Sequence, residues 1–392
     1  MDTIKAGVIG AGFVGPLHVE ALRRLGGVEV LGLADEDEDL ARRKAEALWI
    51  PRHYGNWRDL VNDPDIQVVH VCTPNYLHFE INQAVIEAGK PIVSEKPLAT
   101  TSEGSRELLH RIEKAEIPNE VCFTYRMYPV IQQMQAMVGR GEIGQPWIVW
   151  GAYLQDWLFA QTDYNWRMDP ETSGPSRATA DIGSHWCEIA QFVTGQRIAS
   201  VSAQFGVVHP TRMKPRLTLE AFANVGQDIA ECDEVPITTE DYAAVLVKFS
   251  GGAIGTFSVS QVSAGRKNHI LLEVNGSRCS LAWNHEDAER LWIGNRDGPS
   301  HSILRDPALF HPSAREFCHY PAGHPEGYVS GFRNLFQAFY ACLRSGRRWG
   351  QDKPNFPTFW EGHRSMLILD AIIRSARENR WVEVDYSSLP PA

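Results

Sequence analysis

The sequence predicts an α/β chain in two parts: an N-terminal doubly wound parallel sheet, then a C-terminal α/β part built on a large, open, mostly antiparallel sheet. Three observations carry this. Apolar runs of strand length alternate with helix-like stretches up to about residue 125. A glycine-rich turn closes the first of those strands. Beyond about Gly144, strand-like runs follow one another with few helices between them.

The first strand is read at 4–9, closing on Gly10-Ala11-Gly12-Phe13-Val14-Gly15 and leading into a helix over 14–25. In this setting each glycine has a separate physical task. Gly10 permits a tight turn, Gly12 lets backbone approach a pyrophosphate, and Gly15 lets the helix pack against the strand. The helix N-terminus, with Phe13 and Val14, presents N–H groups and partial positive charge to phosphates. The second strand, 28–34, ends at Asp35, where a dinucleotide-binding unit places a carboxylate for the adenosine ribose. Asp35-Glu36-Asp37-Glu38-Asp39 repels a 2′-phosphate, and no arginine directly follows Asp35, so NAD is the expected cofactor.

Further strands are read at 68–72, 92–94 and 121–123. A helix over 77–88 is closed by Gly89-Lys90-Pro91, and another is opened by Thr101 or Ser102. Right-handed crossovers follow from the alternation. Gly10, Asp35, Thr73, Glu95 and Tyr125 come after strand ends, so they converge where doubly wound sheets bind ligands. Pro74, Asn75 and His78 join Thr73 in the expected cofactor-binding set. The nucleotide-binding part is set at 1–125 and the substrate-binding and oligomerisation part at 126–392, with a closing helix at 357–379 packing back on the first. In the second part strands are read at 147–154, 200–208, 242–249, 253–259, 269–274 and 279–282. Ser250-Gly251-Gly252 marks a hairpin, and helices are read near 181–194 and 327–345.

Composition bounds the partners. At 392 residues two domains are expected, and 43% hydrophobic with 22% charged residues is ordinary for a globular chain. A formal charge of −10 argues against nucleic acid or an anionic membrane as partner. No apolar stretch reaches the roughly 18 residues of a membrane span. A strand beginning near Ile4 leaves no room for a cleavable leader, so the cytoplasm is expected. Seven cysteines without a C-x-x-C pair fit neither a disulfide framework nor a zinc site, and Cys72 and Cys122 read as buried thiols.

Two segments carry candidate chemistry. In Asp181-Ile182-Gly183-Ser184-His185 the apolar spacing of Ile182, Trp186, Ile189 and Val193 predicts a helix, with Asp181 and His185 one turn apart. A carboxylate beside an imidazole can orient it as a general base; equally, Asp181 can favour a helix start and His185 can be an interface residue. In Glu95-Lys96-Pro97, a lysine at a strand's carboxyl end beside a cationic nicotinamide suits proton transfer; it can also be a loop lysine paired with Glu95.

Together with Thr73-Pro74-Asn75-x-x-His78, these segments make the chain resemble the glucose–fructose oxidoreductase and inositol dehydrogenase family (Gfo/Idh/MocA) over nearly its whole length. The resemblance implies a Rossmann domain, a C-terminal open sheet that forms homodimers or homotetramers, and Lys96, Asp181 and His185 as the catalytic set. It also implies that Tyr125-Arg126 and Trp166-Arg167 border cofactor and substrate. Relatives often carry a glycine run before the catalytic aspartate. Here that segment is Ser173-Gly174-Pro175-Ser176-Arg177-Ala178-Thr179-Ala180, so Arg177 and Thr179 are expected to form a distinctive substrate-facing wall.

The implied reaction is oxidation of a secondary hydroxyl of a sugar, glycoside, anhydrosugar or cyclitol, hydride passing to nicotinamide C4 while Lys96 and His185 handle the proton and Asp181 holds His185 in its working tautomer. An alternative is a redox-neutral, NAD-dependent glycosidase using transient C3 oxidation and elimination, with an anionic glycoside as one substrate. A carbohydrate pocket is read from Gln155 and Trp157, and from Tyr164, Trp166 and Arg167, because sugar rings need aromatic faces and directional polar partners together. His209-Pro210-Thr211-Arg212-Met213-Lys214-Pro215-Arg216 reads as a solvated connection or an anion-holding segment. His311, His319 and His324 with Glu326 fit no compact metal motif, so no metal is expected, and His324 is taken as a substrate contact.

Overall fold

The computed structural model describes residues 3–216, 232–346, 349–350 and 353–389. Strands β1 (Ile4–Ile9), β2 (Val28–Ala34), β3 (Arg52–Tyr54), β4 (Val68–Val71), β5 (Ile92–Ser94) and β6 (Asn119–Val121) form one parallel sheet in the order β3-β2-β1-β4-β5-β6. The order reverses between β1 and β4, which opens a crevice beyond their carboxyl ends. β4 is apolar in sequence except for His70, and both faces of the strand are buried. Helices α1 (Val14–Arg23), α2 (Glu38–Ala47), α3 (Trp57–Asn62), α4 (Asn75–Glu87) and α5 (Ser102–Ala115) make the crossovers. The N-cap of α5 is Thr101, whose side chain accepts from the Gly104 N–H, which fixes the start left between two residues by the sequence. The last parallel strand ends at Val121 rather than 123; Cys122 and Phe123 lie beyond it at the sheet's carboxyl edge.

Helix α6 (Pro129–Gly139) leads into the second part. There β7 (Pro146–Leu154), β8 (Ile198–Gly206), β11 (Tyr242–Phe249), β12 (Ile254–Ser260), β13 (His269–Gly276), β14 (Cys279–Asn284), β15 (Arg290–Asn295), β16 (His301–Leu304) and β17 (Val382–Glu383) form a nine-stranded sheet. Its pairs are antiparallel except β7 with β12. β9 (Thr211–Pro215) and β10 (Cys232–Pro236) form a separate ribbon. One face of the large sheet is covered by α6 and by α8 (Ser184–Thr194), whose Trp186 is fully buried and stacked on Phe257 at 4.4 Å. The single-turn helices α7 (Pro170–Ser173) and α9 (Pro312–Arg315) sit in connections.

The two C-terminal helices tie the halves together. α10 (Tyr328–Arg344) lies against α1, and its Phe332, Leu335, Phe336 and Phe339 fill one face of the parallel sheet. α11 (Phe359–Glu378), opened by a Thr358–Glu361 capping box, packs on both α5 and β8. Among the described residues no helix is long and apolar enough to cross a membrane. All seven cysteines are free; Cys122 is buried as expected, whereas Cys72 is only half-buried.

Candidate active site

A single cleft of 1990 Å³ runs from the glycine turn, past the end of β5, to the inner end of the large sheet. At its nucleotide end the turn has the geometry its sequence implies. Gly10 adopts φ +104°, and a side chain there would meet the Cys72 carbonyl oxygen at 2.5 Å. A Cβ on Gly15 would lie 1.9 Å from the Gly10 carbonyl oxygen, so only glycine lets α1 sit this close to β1. A Cβ on Gly12 would meet nothing within 4 Å. Gly12 thus leaves open space at the N-terminus of α1, the cradle a pyrophosphate needs. Asp35 anchors the adjoining wall: its carboxylate accepts from Ala11 N–H at 2.7 Å and from Asp37 N–H at 3.2 Å while facing the cleft. Phe13, Val14, Thr73, Pro74 and Asn75 line the same stretch. Arg43 and Lys44 of α2 join them, cations that the sequence reading passed over because α2 buries only Ala41 and Ala45 and gives a weak helix pattern.

Where the halves meet, Lys96 Nζ donates to Asp181 Oδ1 at 2.9 Å and to the Asp181 carbonyl at 3.0 Å. Arg167 Nε approaches the same carboxylate oxygen at 3.5 Å. Gln261 Nε2 donates to the other oxygen at 3.0 Å. Burial pushes the Asp181 carboxyl up, but Lys96, Arg167 and His185 outweigh it and hold the group well below the usual carboxylate range. His185 is buried beside Tyr125, ring centroids 4.9 Å apart, and faces the cleft. Its imidazole is held well below the usual histidine range, first by burial and then by the Lys96 charge, so it is neutral.

One expectation fails here. No hydrogen bond joins Asp181 to His185 among the described residues, and His185 Nδ1 is buried with no partner. The segment Thr179–Gly183 is a π-helical turn that runs on into α8, not the opening turn of a regular α-helix. The wider turn goes with a carboxylate directed to Lys96, Gln261 and Arg167, so Asp181 does not set the imidazole tautomer by direct bonding.

The carbohydrate-type wall is a hydrogen-bonded group. Tyr125 and Tyr153 hydroxyls lie 2.9 Å apart; Tyr153 donates to Asn268 Oδ1 at 2.6 Å, and Asn268 Nδ2 donates to the Tyr125 hydroxyl at 3.0 Å. Gln155 reaches Asn268 Oδ1 at 3.3 Å and accepts from Trp157 Nε1 at 2.7 Å. Burial raises Tyr125 and Tyr153 above the ordinary tyrosine value. Arg167 stacks over Trp166 at 4.3 Å, and all these residues line the cleft. Asn268 and Gln261 were missed. Each sits near a strand end in an unremarkable polar stretch, and only tertiary pairing brings it to the site.

Six other expected site residues lie elsewhere. Arg126 turns away from the cleft to Glu188 at 3.2 Å and Glu361 at 3.8 Å, because two buried carboxylates need a cation. His78 is fully buried, its ring nitrogens 2.6 Å from the Pro97 carbonyl and 2.9 Å from the Thr73 carbonyl; it joins the two wall loops instead of touching cofactor. Tyr164 packs in a small cluster with Leu158, Met168 and Ile237. His324 is exposed, and its carbonyl accepts from Arg305 at 2.6 Å. Thr179 is buried, with its N–H bonded to Glu240 at 2.8 Å. Arg177 is fully buried against Asp241 and donates to Gln261 Oε1 at 2.9 Å. That bond fixes the Gln261 amide so its NH₂ faces Asp181, so Arg177 acts from behind the carboxylate rather than as a substrate wall. The basic segment is also structural in part: Arg212 is fully buried on Asp241 at 2.8 Å and on the Leu158 and Ala160 carbonyls. Glu326 pairs with Arg305 at 3.0 Å, and His319 bonds Asn334, so neither is grouped for a metal.

A parallel sheet with a dinucleotide cradle, joined through a lysine–aspartate pair to an antiparallel half, defines an NAD-dependent oxidoreductase. The pattern described as "Oxidoreductase family, NAD-binding Rossmann fold" matches residues 4–121, and "GFO/IDH/MocA C-terminal domain" matches residues 131–282. The chain belongs to the Gfo/Idh/MocA family. Levoglucosan dehydrogenase of Pseudarthrobacter phenanthrenivorans is 28% identical over 98% of this chain and 99% of that protein. The crystal structure of an oxidoreductase domain protein from Kribbella flavida is 32% identical, with TM-score 0.87 over 98% of this chain and 100% of that one. A levoglucosan dehydrogenase complex with NADH and L-sorbose gives TM-score 0.88 at 28% identity, covering 98% of this chain and 99% of that one.

Two outcomes follow. Asp241→Ala leaves Arg177 and Arg212 buried without their shared carboxylate and should cost about 3–5 kcal/mol, read from urea unfolding. Asp35→Ala should weaken NAD binding by about tenfold or more, read by calorimetric titration, since a charged acceptor of hydrogen bonds is worth about 1.5–3 kcal/mol.

Proposed function

We propose that this enzyme oxidises a secondary hydroxyl of a sugar, glycoside, anhydrosugar or cyclitol, with NAD as hydride acceptor. The observation that carries the reading is the meeting of Lys96 with Asp181 and a neutral His185 in the cleft that begins at the glycine turn. Bound NAD supplies the hydride acceptor at nicotinamide C4. His185, uncharged, accepts the hydroxyl proton. Lys96, anchored on Asp181, donates a hydrogen bond to the substrate oxygen and stabilises negative charge developing there. Gln261 and Arg167 keep Asp181 in place, so the ammonium is aimed without reorganisation.

The wall formed by Tyr125, Tyr153, Gln155, Trp157, Arg167 and Asn268 supports a polyhydroxylated ring. It alternates aromatic faces with donors and acceptors, and the names of the levoglucosan dehydrogenase relatives agree with that class. Lys96→Met should lower kcat at least about a hundredfold while changing NAD affinity little. The assay is a panel of pyranosides, inositols, anhydrosugars and anionic glycosides, with NADH absorbance and product mass followed together. Net NADH supports the dehydrogenase. Sugar release with only catalytic NAD and solvent deuterium at C2 would replace it with the redox-neutral glycosidase.

The face of the nine-stranded sheet turned away from α6 and α8 exposes, among the described residues, Ile148, Trp150, Leu246, Ile254 and Trp292. Ile148 and Trp150 pair with Ile254 and Thr256 across the parallel contact, so the patch is continuous. Such a face suits a second copy of the chain in a homodimer or homotetramer. Trp150→Glu with Leu246→Glu should convert the oligomer to monomer in light-scattering chromatography; an unchanged mass would remove this face from the interface.

A further inference from the structure

Beneath the cleft, between α1, α10 and the parallel sheet, lies a line of polar groups that the proposed chemistry leaves unused. Glu95 Oε1 is 3.3 Å from His18 Nε2, His18 Nδ1 is 3.1 Å from His70 Nδ1, and His70 Nε2 is 3.1 Å from the Tyr340 hydroxyl. His18 and His70 are fully buried and packed on Phe336; His18 also packs on Phe332. Glu95 is almost buried but lines the cleft next to Lys96, and its other oxygen accepts from the Lys96 N–H at 3.1 Å.

The order of donors follows from the carboxylate. An ionised Glu95 only accepts, so His18 Nε2 carries a proton. The His18 Nε2–H donates to Glu95 whichever way its Nδ1 faces His70, and His70, kept neutral by burial, completes the line to the Tyr340 hydroxyl. We propose that His18 is a positioning residue which, backed by His70 and Tyr340, holds Glu95 as an anion at the nicotinamide end of the cleft, so that the site favours NAD⁺ over NADH. The oxidised ring carries a positive charge that the reduced ring lacks, so a fixed anion discriminates between them.

The groups facing Glu95 leave it as the carboxylate that His18 controls. Cys72, Cys122, Tyr125 and Tyr328 are all raised by burial and stay neutral; His70 is lowered well below its usual range by burial and stays neutral, and the His78 ring is turned to the Pro97 and Thr73 carbonyls. Lys96 and Asp181 pair with each other. Burial alone would raise Glu95; His18, then Lys96, turn the balance and lower it. The sign follows: NAD⁺ preference is present above the Glu95 pKa and is lost as pH falls through it. Removing His18 moves that loss to higher pH.

His18, Glu95 and Cys122 also bring donor atoms within 4.8 Å of one another. A divalent ion is not needed to explain the cluster, because the carboxylate and imidazole already bond each other and the chain continues through His70.

The experiment measures dissociation constants for NAD⁺ and NADH, by calorimetry and by NADH fluorescence, from pH 5.5 to 9. Wild type, His18→Phe, Glu95→Gln and the double variant are compared. Phenylalanine keeps a ring against Phe332 and Phe336 but removes the donor. Glu95→Gln should raise the ratio Kd(NAD⁺)/Kd(NADH) about tenfold at every pH. His18→Phe should raise it toward the low end of that pH range and return toward wild type as the pH is raised and the carboxyl ionises again. The double variant should match Glu95→Gln alone. Equal weakening of both cofactor forms, or a His18→Phe effect that alkaline pH does not reverse, would reduce His18 to a packing residue and overturn the proposal. So would an unchanged ratio in Glu95→Gln, or stoichiometric zinc in the wild type that His18→Phe lacks. No sugar is used, so failure here leaves the proposed substrate chemistry standing.

Discussion

The Lys96–Asp181 contact is the point on which the site turns. Lys96 leaves the carboxyl edge of β5 in the parallel sheet; Asp181 stands on the π-helical turn that opens α8 over the large sheet. The 2.9 Å bond therefore joins two separately built halves. Burying a charged pair rarely adds much stability, because desolvation offsets the attraction. What it does supply is geometry: neither half can shift without separating the charges.

Each member is held from behind. Asp241 neutralises two fully buried arginines, Arg177 and Arg212. Arg177 fixes Gln261, and Gln261 fixes the second oxygen of Asp181. Arg212 meanwhile clamps the loop carrying Gln155 and Trp157 through the Leu158 and Ala160 carbonyls. One buried carboxylate thus organises both Asp181 and the aromatic wall. On the other side, the ring of His78 sits between the Thr73 and Pro97 carbonyls and packs together the two loops that line the cofactor channel.

The nucleotide half was legible because its signals are local. Turn, helix start and strand-end acid fall within 35 residues, and close approach to backbone excludes everything but glycine at 10 and 15. The strands of the large sheet were legible from alternation, except β15, β16 and the two-residue β17, for which no strand was read. Side-chain direction was the weak point. Sequence placed Arg126 beside Tyr125 and Arg177 near Asp181 correctly along the chain, yet each guanidinium follows the nearest buried carboxylate, Glu188 or Asp241, which lies far away in sequence. Asn268 is the converse case: only the pairing of β13 with β7 brings it to Tyr153. The folding of α10 onto α1 was equally hidden, since an amphipathic helix does not say which sheet it covers.

The charges of the cleft explain why His185 stands as an uncharged imidazole without a bonded carboxylate. Lys96 and Arg167 already point at Asp181, so its anion is spent on two cations before His185 is considered. A protonated His185 would be a third cation in a buried space, with the aromatic rings of Phe123, Tyr125 and Tyr153 as its nearest ring neighbours. Desolvation and repulsion from Lys96 both oppose that state, and Asp181 recovers only part of the cost. The imidazole therefore waits uncharged, its buried Nδ1 unpartnered. In the proposed reaction it would gain a proton as a bound alcohol gives one up, when the negative oxygen left behind would supply the counter-charge that the protein withholds.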